Sequence, residues 1–219
     1  MYGRGVFCVL ILAALPVAAG AQGFKFSNED KSQQEAEAAR QARINAQVST
    51  PCLERIKNRK IMVLIGEEVN GAVQAKQASF SPHFDAINAR LQHLGLRTYT
   101  QEEIRKQIAQ AEIDAYFKNN PDAALSAAKR LAASYTLRGL ISARAMRNPM
   151  IPVNQVAVSM NFVLTGSDGK RISQADAKSE SFSGADVQGM ALTLINEQAD
   201  EVVAKLYSEY CQQPEVRRK

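Results

Sequence analysis

The sequence predicts an α/β domain whose mixed sheet combines two crossover strands with a three-strand antiparallel meander and packs against about four helices. Three observations support this fold class. A continuous apolar run, IMVLI, follows Lys60 and is typical of a strand covered on both faces. Apolar residues then recur at helical spacing between residues 80 and 133, and they alternate with polar residues between 135 and 182. A chain of 219 residues is long enough for one such domain.

Composition excludes several other classes of protein. Hydrophobic residues make up 46% and charged residues 22%, which are globular averages and exclude a wholly disordered or disulfide-dense chain. A net charge of +5 is mild for a nucleic-acid-binding protein of this length, so we expect no nucleic acid as a partner. Trp is absent and aromatic residues make up only 6%, which leaves little material for a base-stacking surface.

The N-terminal segment 1–21 has the features of a cleaved signal peptide. Its start is positively charged, residues 6–17 are apolar, and Ala19-Gly20-Ala21 forms a small-residue cleavage site. The apolar run is shorter than the ~20 residues that cross a bilayer, and no cysteine stands at its end for lipid attachment. The sequence therefore predicts export to the periplasm and no transmembrane anchor.

The mature chain is expected to have three parts. Residues 22–51 are rich in Ala, Gln, Glu and Arg, which predicts a polar tether that is either disordered or a solvated helix. A single α/β domain is expected at 52–211, and a basic tail at 212–219.

Two cysteines remain once the signal peptide is removed. Cys52 precedes the first predicted strand and Cys211 follows the last predicted helix. Because the periplasm oxidises thiols, the sequence predicts a disulfide that ties the two ends of the domain together. Neither cysteine belongs to a C-x-x-C motif or has a nearby His or acidic ligand, so we expect neither a metal nor a redox role for the pair.

The first predicted strand is followed by an amphipathic helix. Ser81 is its expected cap and Gly95 its stop, and a short second strand is expected at 96–99. The apolar positions that define this helix recur at steps of three and four residues: Phe80, Phe84, Ile87, Leu91 and Leu94.

Two further helices are predicted before the pattern changes. Thr100 and Glu103 form a capping box, from which one helix is expected to run to about Phe117. Pro121 then interrupts the helical pattern and precedes an Ala-rich helix at 122–133.

The predicted meander begins after this helix. Segments 135–143 and 156–164 alternate apolar and polar residues and are expected to be half-buried strands. The turn sequence GSDG at 166–169 joins them to a polar strand at 170–182 that resembles a sheet edge. Ser183 is expected to open a final helix with a long apolar face.

The meander also carries a resemblance to a group of bacterial envelope domains. These domains have a helix that leads into an Ala-x-Tyr-x-Leu-x-Gly-x-Ile strand, followed by a pairing strand and an Asp-x-x-Gly-like turn. The matching positions here are Ala133, Tyr135, Leu137, Gly139 and Ile141, then Asp168 and Gly169.

The group includes the amino-terminal domain of the Tol-Pal propeller protein, activator lipoproteins of penicillin-binding proteins, the curli secretion lipoprotein and periplasmic flagellar assembly proteins. The similarity covers roughly residues 60–207. It implies a non-catalytic periplasmic domain that docks on another protein or envelope component.

Residues with catalytic potential are few. His83 and His93 would stand about 15 Å apart along one helix, too far to share a metal ion or a proton. Glu67 and Glu68 are adjacent and point in different directions. The positions Ser79, Ser81 and His83 lack the G-x-S-x-G motif of a nucleophile elbow. We therefore expect a non-enzyme without catalytic, cofactor-binding or metal-binding residues. The alternative is a periplasmic hydrolase or redox enzyme with an unrecognised site.

Cations in the meander form the candidate partner-binding residues. They fall on the polar positions of the strands and could form a basic strip that meets an anionic partner, or a charged face that keeps a sheet edge from aggregating. These residues are Arg138, Arg144, Lys170, Arg171 and Lys178. We expect an envelope protein as partner, and the sequence leaves the oligomeric state open. From the sequence alone, proline at Ala177 is the change expected to block pairing at the edge strand.

Overall fold

The computed structural model describes residues 27–49, 52–69, 71–75, 77, 81–118, 120–147, 149–150 and 153–214. The predicted signal peptide, Ser79, Phe80, the side chain of Ser81 and the basic residues of the tail lie outside the described residues.

These residues form seven helices and six strands. The helices are α1 (Ser27–Val48), α2 (Leu53–Ile56), α3 (Ser81–His93), α4 (Gln101–Gln107), α5 (Gln110–Phe117), α6 (Pro121–Leu131) and α7 (Val187–Gln212). The strands are β1 (Lys60–Val69), β2 (Ala72–Gln74), β3 (Arg97–Thr98), β4 (Tyr135–Arg147), β5 (Asn154–Gly166) and β6 (Arg171–Ser183).

All six strands belong to one mixed sheet. The order is β2, β1, β4, β5 and β6, and β3 pairs with the start of β1. Strand β1 is parallel to β3 and β4, while β4, β5 and β6 form an antiparallel meander. The predicted fold class, an α/β domain with crossover strands and a meander, is confirmed. Strand β2, which the sequence did not indicate, pairs antiparallel with the end of β1.

The helix expected between Thr100 and Phe117 is in fact two helices. The predicted capping box is present, since Thr100 Oγ1 accepts the N–H of Glu103 and the Glu103 carboxylate accepts the N–H of Thr100. The N–H of Thr100, and then its hydroxyl, which also donates to the carboxylate, lower the pKa of Glu103. Ile108 then adopts an extended conformation (φ −127°, ψ 123°), and the Glu112 carboxylate accepts the N–H of Ala109. That second cap starts α5 and explains the break.

The start of the last helix also differs from the prediction. Ser183 is the final residue of β6, where it pairs with Asn154. Asp186 is the actual cap, and its carboxylate accepts the N–H of Gly189 at 2.8 Å. The strand continues to Ser183 because its pairing with β5 extends that far, so the helix begins later.

The two faces of the sheet have different surroundings. On one face, α3 packs against β1 and β3 while α7 packs against β5 and β6, and the apolar residues Leu137, Ile141 and Phe162 are buried there. On the other face, α5 lies against β1, where the Phe117 ring contacts Gly66. On this second face, the part of the sheet formed by β4, β5 and β6 carries mostly polar side chains, among them Ser142, Ser159 and Lys178. We call this part the open face.

The chain divides into two compact units, of which the first ends at Glu37 and the second begins at Ala38. Within the second unit, Ile44 is buried and the Arg40 guanidinium donates to the carbonyl oxygen of Glu197 at 2.8 Å. The portion of the predicted tether after Ala38 therefore packs against α7.

A disulfide joins Cys52 and Cys211, whose Cα atoms lie 5.8 Å apart. The residue before α2 and the end of α7 are thereby linked. The N–H of Cys52 also donates to the hydroxyl of Tyr207 at 3.3 Å, so the bridge lies in a buried and hydrogen-bonded environment.

Candidate functional site: an open sheet edge and a basic cleft

Strand β6 is the last strand of the sheet, and its first residues are closed by side chains of the C-terminal helix. The N–H of Gln174 donates to Glu209 Oε2 at 2.9 Å. The Gln213 amide donates to the carbonyl oxygen of Ile172 at 2.6 Å. Both backbone groups point away from β5, so α7 satisfies the beginning of this edge.

The rest of the edge is open. In an antiparallel pair, alternate residues direct both backbone groups to the same side. Because the N–H of Gln174 points outward, the backbone groups of Asp176, Lys178 and Glu180 point outward as well. No residue that the structure describes hydrogen-bonds to these outward groups. We call the segment from Asp176 to Phe182 the open edge.

Two exposed apolar side chains lie in the row of side chains that ends at Phe182 of the open edge. Met146, Gln155 and Phe182 occupy one row across β4, β5 and β6. Met146 is 60% exposed and Phe182 is 57% exposed. A strand added at the open edge would extend this row, and its side chain there would contact Phe182.

The five predicted cations are distributed over three places. Arg138 is half-buried, with its guanidinium carbon 5.6 Å from the ring centroid of Tyr116 and 5.2 Å from that of Phe117. It also donates to the carbonyl oxygen of Phe117 at 3.4 Å. The position of Arg138 under α5 makes it a packing residue of the domain.

Arg144 and Lys178 lie on the open face. Arg144 is 3.7 Å from the Glu68 carboxylate, with both side chains in contact with solvent. Lys178 pairs with Ser159 across the ladder and lies between Asp176 and Glu180 along β6. Together with Ser142 and Ser159 they line a shallow groove of about 580 Å³.

Lys170 and Arg171 lie elsewhere, in a cleft at the opposite end of the sheet. The cleft is an open depression formed by the segment before β1, the end of α6, the start of β4, the β5–β6 turn and the end of α7, and its volume is about 1130 Å³. We call it the basic cleft because six cationic side chains and two carboxylates line it: Arg55, Lys57, Arg59, Lys129, Lys170, Arg171, Glu54 and Asp168.

Four of the six cations of this cleft were not among the predicted residues. Two of them are close together in the sequence, because the basic run Lys57-Asn58-Arg59 directly precedes β1. Lys129 lies far away in the sequence and reaches the cleft only through the packing of α6 beside β4.

Two tyrosines lie at the base of the basic cleft. The hydroxyls of Tyr135 and Tyr210 are 2.9 Å apart and hydrogen-bonded, and their rings meet edge to face. Burial, followed by the hydrogen bond to Tyr210, raises the pKa of Tyr135. Its hydroxyl therefore stays protonated at neutral pH and can act as a neutral donor.

Among the residues considered for catalysis, the structure brings His83 and Glu67 near each other, while Glu68 lies beside Arg144. His83 lies in the first turn of α3, and burial lowers its pKa while the nearby Glu67 carboxylate opposes that shift. In the part of the chain that the structure describes, no three His, Cys, Asp or Glu side chains come together as metal ligands would. None of the described helices combines the length and the apolar character needed to cross a bilayer.

Comparisons with known proteins find similarity among solved structures alone. No family model matches this chain, and no curated protein matches it. Lipoprotein GNA1162 from Neisseria meningitidis is similar with 14% sequence identity, over 66% of this chain and 98% of that chain, at a TM-score of 0.46.

Two other solved structures show a comparable degree of similarity. A minor lipoprotein from Acinetobacter baumannii has 11% identity over 70% of this chain and 93% of its own, with a TM-score of 0.41. The LpoB C-terminal domain from Salmonella enterica has 12% identity over 60% of this chain and 95% of its own, with a TM-score of 0.38. Bacterial lipoproteins are thus among the solved structures to which this chain is similar.

Proposed function

We propose that this protein is a non-catalytic interaction module of the bacterial cell envelope, which acts in the periplasm and docks on another envelope protein. Docking occurs by addition of an extended segment of the partner to the open edge of β6. The main observation behind this proposal is that the edge of β6 has a closed part followed by an open part. Its first part is closed by Glu209 and Gln213, while the backbone groups of Asp176, Lys178 and Glu180 are left outward.

The chemistry of the open edge defines the segment that it would accept. Main-chain hydrogen bonds supply affinity in strand addition, and alternate side chains supply specificity. The side chains of the outward residues lie on the open face and alternate in character along the strand: Asp176 is acidic, Lys178 basic, Glu180 acidic and Phe182 aromatic. An antiparallel partner with an apolar residue opposite Phe182 and a basic residue opposite Glu180 or Asp176 complements this pattern.

Position 178 offers a matched pair of variants that tests the proposal. Lys178→Pro removes the outward N–H and places a ring where the added strand would lie, but it leaves the ladder with β5 intact. Lys178→Ala removes the same charge and keeps the N–H. We expect capture of envelope proteins to fall on the order of tenfold with Lys178→Pro and to change little with Lys178→Ala.

The measurement is quantitative mass spectrometry of proteins that co-purify with the full chain from crosslinked cells, after a melting curve has shown that both variants fold. Equal capture by the wild type and both variants would exclude docking at the open edge. A turnover of peptidoglycan, peptide or ester substrates that is lost with Glu68→Gln or His83→Gln would contradict the non-enzymatic role.

A further inference from the structure

We propose that the basic cleft is a binding site for a ligand that carries two or more phosphate groups in close succession. The cleft lies at the end of the sheet where the β5–β6 turn is found, away from Phe182 and the end of the open edge. Its ligand would therefore be bound independently of the docking segment proposed above.

The charges of the cleft are only partly compensated within it. Lys57 lies 3.5 Å from the Glu54 carboxylate, and Lys170 lies 3.6 Å from that of Asp168. These two pairs account for both carboxylates of the cleft. The other four cations form no ion pair with any residue that the structure describes; they are Arg55, Arg59, Lys129 and Arg171. Such a convergence of like charge raises the local concentration of anions.

The residue types favour phosphate as the anionic group. Three of the four uncompensated cations are arginines, whose planar guanidinium groups bind phosphate oxygens with two parallel hydrogen bonds. Arg171 already donates one N–H to the Gln174 side chain at 3.2 Å, which orients its guanidinium.

The tyrosine pair adds a neutral donor at the base of the cleft. One of the two hydroxyls of Tyr135 and Tyr210 donates to the other, so the proton of the second is available for an acceptor. Arg59 lies close enough to Tyr135 to exert an electrostatic effect on its hydroxyl. An anion near Arg59 could therefore accept the free hydroxyl proton as well.

The size of the cleft and the density of its charges indicate several adjacent phosphates. A volume of about 1130 Å³ exceeds what one phosphate ion fills. Carboxylates on one side of an extended peptide repeat at about 7 Å, so an acidic peptide places fewer charges in this volume than an oligophosphate does.

The test is isothermal titration calorimetry of the full chain with sodium tripolyphosphate at low ionic strength. The cleft variant is Arg59→Gln/Lys129→Gln/Arg171→Gln. The control variant, Arg105→Gln/Lys106→Gln/Lys118→Gln, loses the same charge at residues outside the cleft. We expect 1:1 binding that weakens about tenfold or more in the cleft variant, that is retained in the control variant and that falls as salt rises.

Two further experiments identify the source of the phosphates and test whether other anions bind equally well. Vesicles of phosphatidylcholine with or without diphosphatidylglycerol report binding to lipid headgroups, and hexaglutamate reports binding of an acidic peptide. Cleft-dependent binding of tripolyphosphate supports a free oligophosphate, and cleft-dependent binding of diphosphatidylglycerol vesicles alone supports a headgroup. The proposal is wrong if neither binds, if hexaglutamate binds as tightly, or if both triple variants lose binding equally.

Discussion

The Gln77 side chain hydrogen-bonds to the middle of β1, where neither β2 nor β3 pairs with that strand. Its side chain is 1% exposed, accepts the N–H of Ile65 at 3.0 Å and donates to the carbonyl oxygen of Ile65 at 2.7 Å. It also donates to the carbonyl oxygen of Ala75 at 2.7 Å. The amide thereby satisfies both backbone groups of Ile65, which would otherwise be buried without partners, because β2 and β3 pair only with the two ends of β1.

Replacing this amide should destabilise the domain. In Gln77→Leu, both backbone groups of Ile65 lose their side-chain partner, while the carbonyl of Ala75 keeps a hydrogen bond from Gln110. We expect the free energy of unfolding to fall by about 3 kcal/mol, measured by urea denaturation. Gln74→Leu, at an exposed position, is the control and should change it little. Equal stability of the two variants would show that the Gln77 bonds contribute nothing.

Gly139 is a residue whose place in a strand is predicted from the sequence, whereas the reason for a glycine there is not. The resemblance marks Gly139 as part of a strand pattern, but the reason for glycine lies on the neighbouring strand. A Cβ atom at position 139 would lie 2.3 Å from the Phe162 ring, which packs directly over the glycine backbone. Pairing across strands determines this contact, and no local pattern around Gly139 contains it.

At the scale of elements, the alternating pattern predicts the meander strands and the polar character of β6. It does not reveal that α7 closes the first part of the edge, because Glu209 and Gln213 lie 35 and 41 residues beyond their partners. These side chains are brought to β6 by the packing of α7 on the sheet. The extent of the open edge is therefore a property of the tertiary structure.

The register of β6 also changes the choice of test. The sequence suggested proline at Ala177, but the N–H of that residue points toward Met160 of β5, so proline there would remove a bond of the ladder. An irregularity between Leu164 and Thr165 shifts the pairing by one residue and sets which positions face outward. Lys178 is the position whose N–H faces outward.

At the scale of the whole molecule, the basic cleft depends on five segments that meet only in the folded chain. The sequence does not indicate the short helix α2 before the first strand, and it assigns Lys170 and Arg171 to a strip with Arg138, Arg144 and Lys178. The structure places the first two in the cleft, Arg138 under α5 and Arg144 on the open face. The alternation of residues along a strand predicts which face of the sheet a side chain lies on. It does not predict which distant loops lie beside that side chain in the folded chain.

The disulfide acts on the stability of the whole domain, because Cys52 and Cys211 are 159 residues apart. Closing a loop of that length in the unfolded chain corresponds to about 5 kcal/mol in the chain-entropy model. We expect Cys211→Ser to lower the melting temperature of the full chain, and Cys52→Ser/Cys211→Ser to lower it by the same amount. Denatured, unreduced wild-type protein that reacts fully with a thiol reagent would show that the bond is absent.

Docking at the open edge is tested most directly by amide hydrogen exchange, resolved by residue, in the free chain and in its purified complex with a captured envelope protein. Strand addition predicts that the amides of Asp176, Lys178 and Glu180 exchange rapidly in the free chain and slowly in the complex. The amides of Ala177 and Ser179 already bond to β5 and should change much less. Unchanged exchange at the three outward amides, with new protection in another part of the domain, would contradict the account.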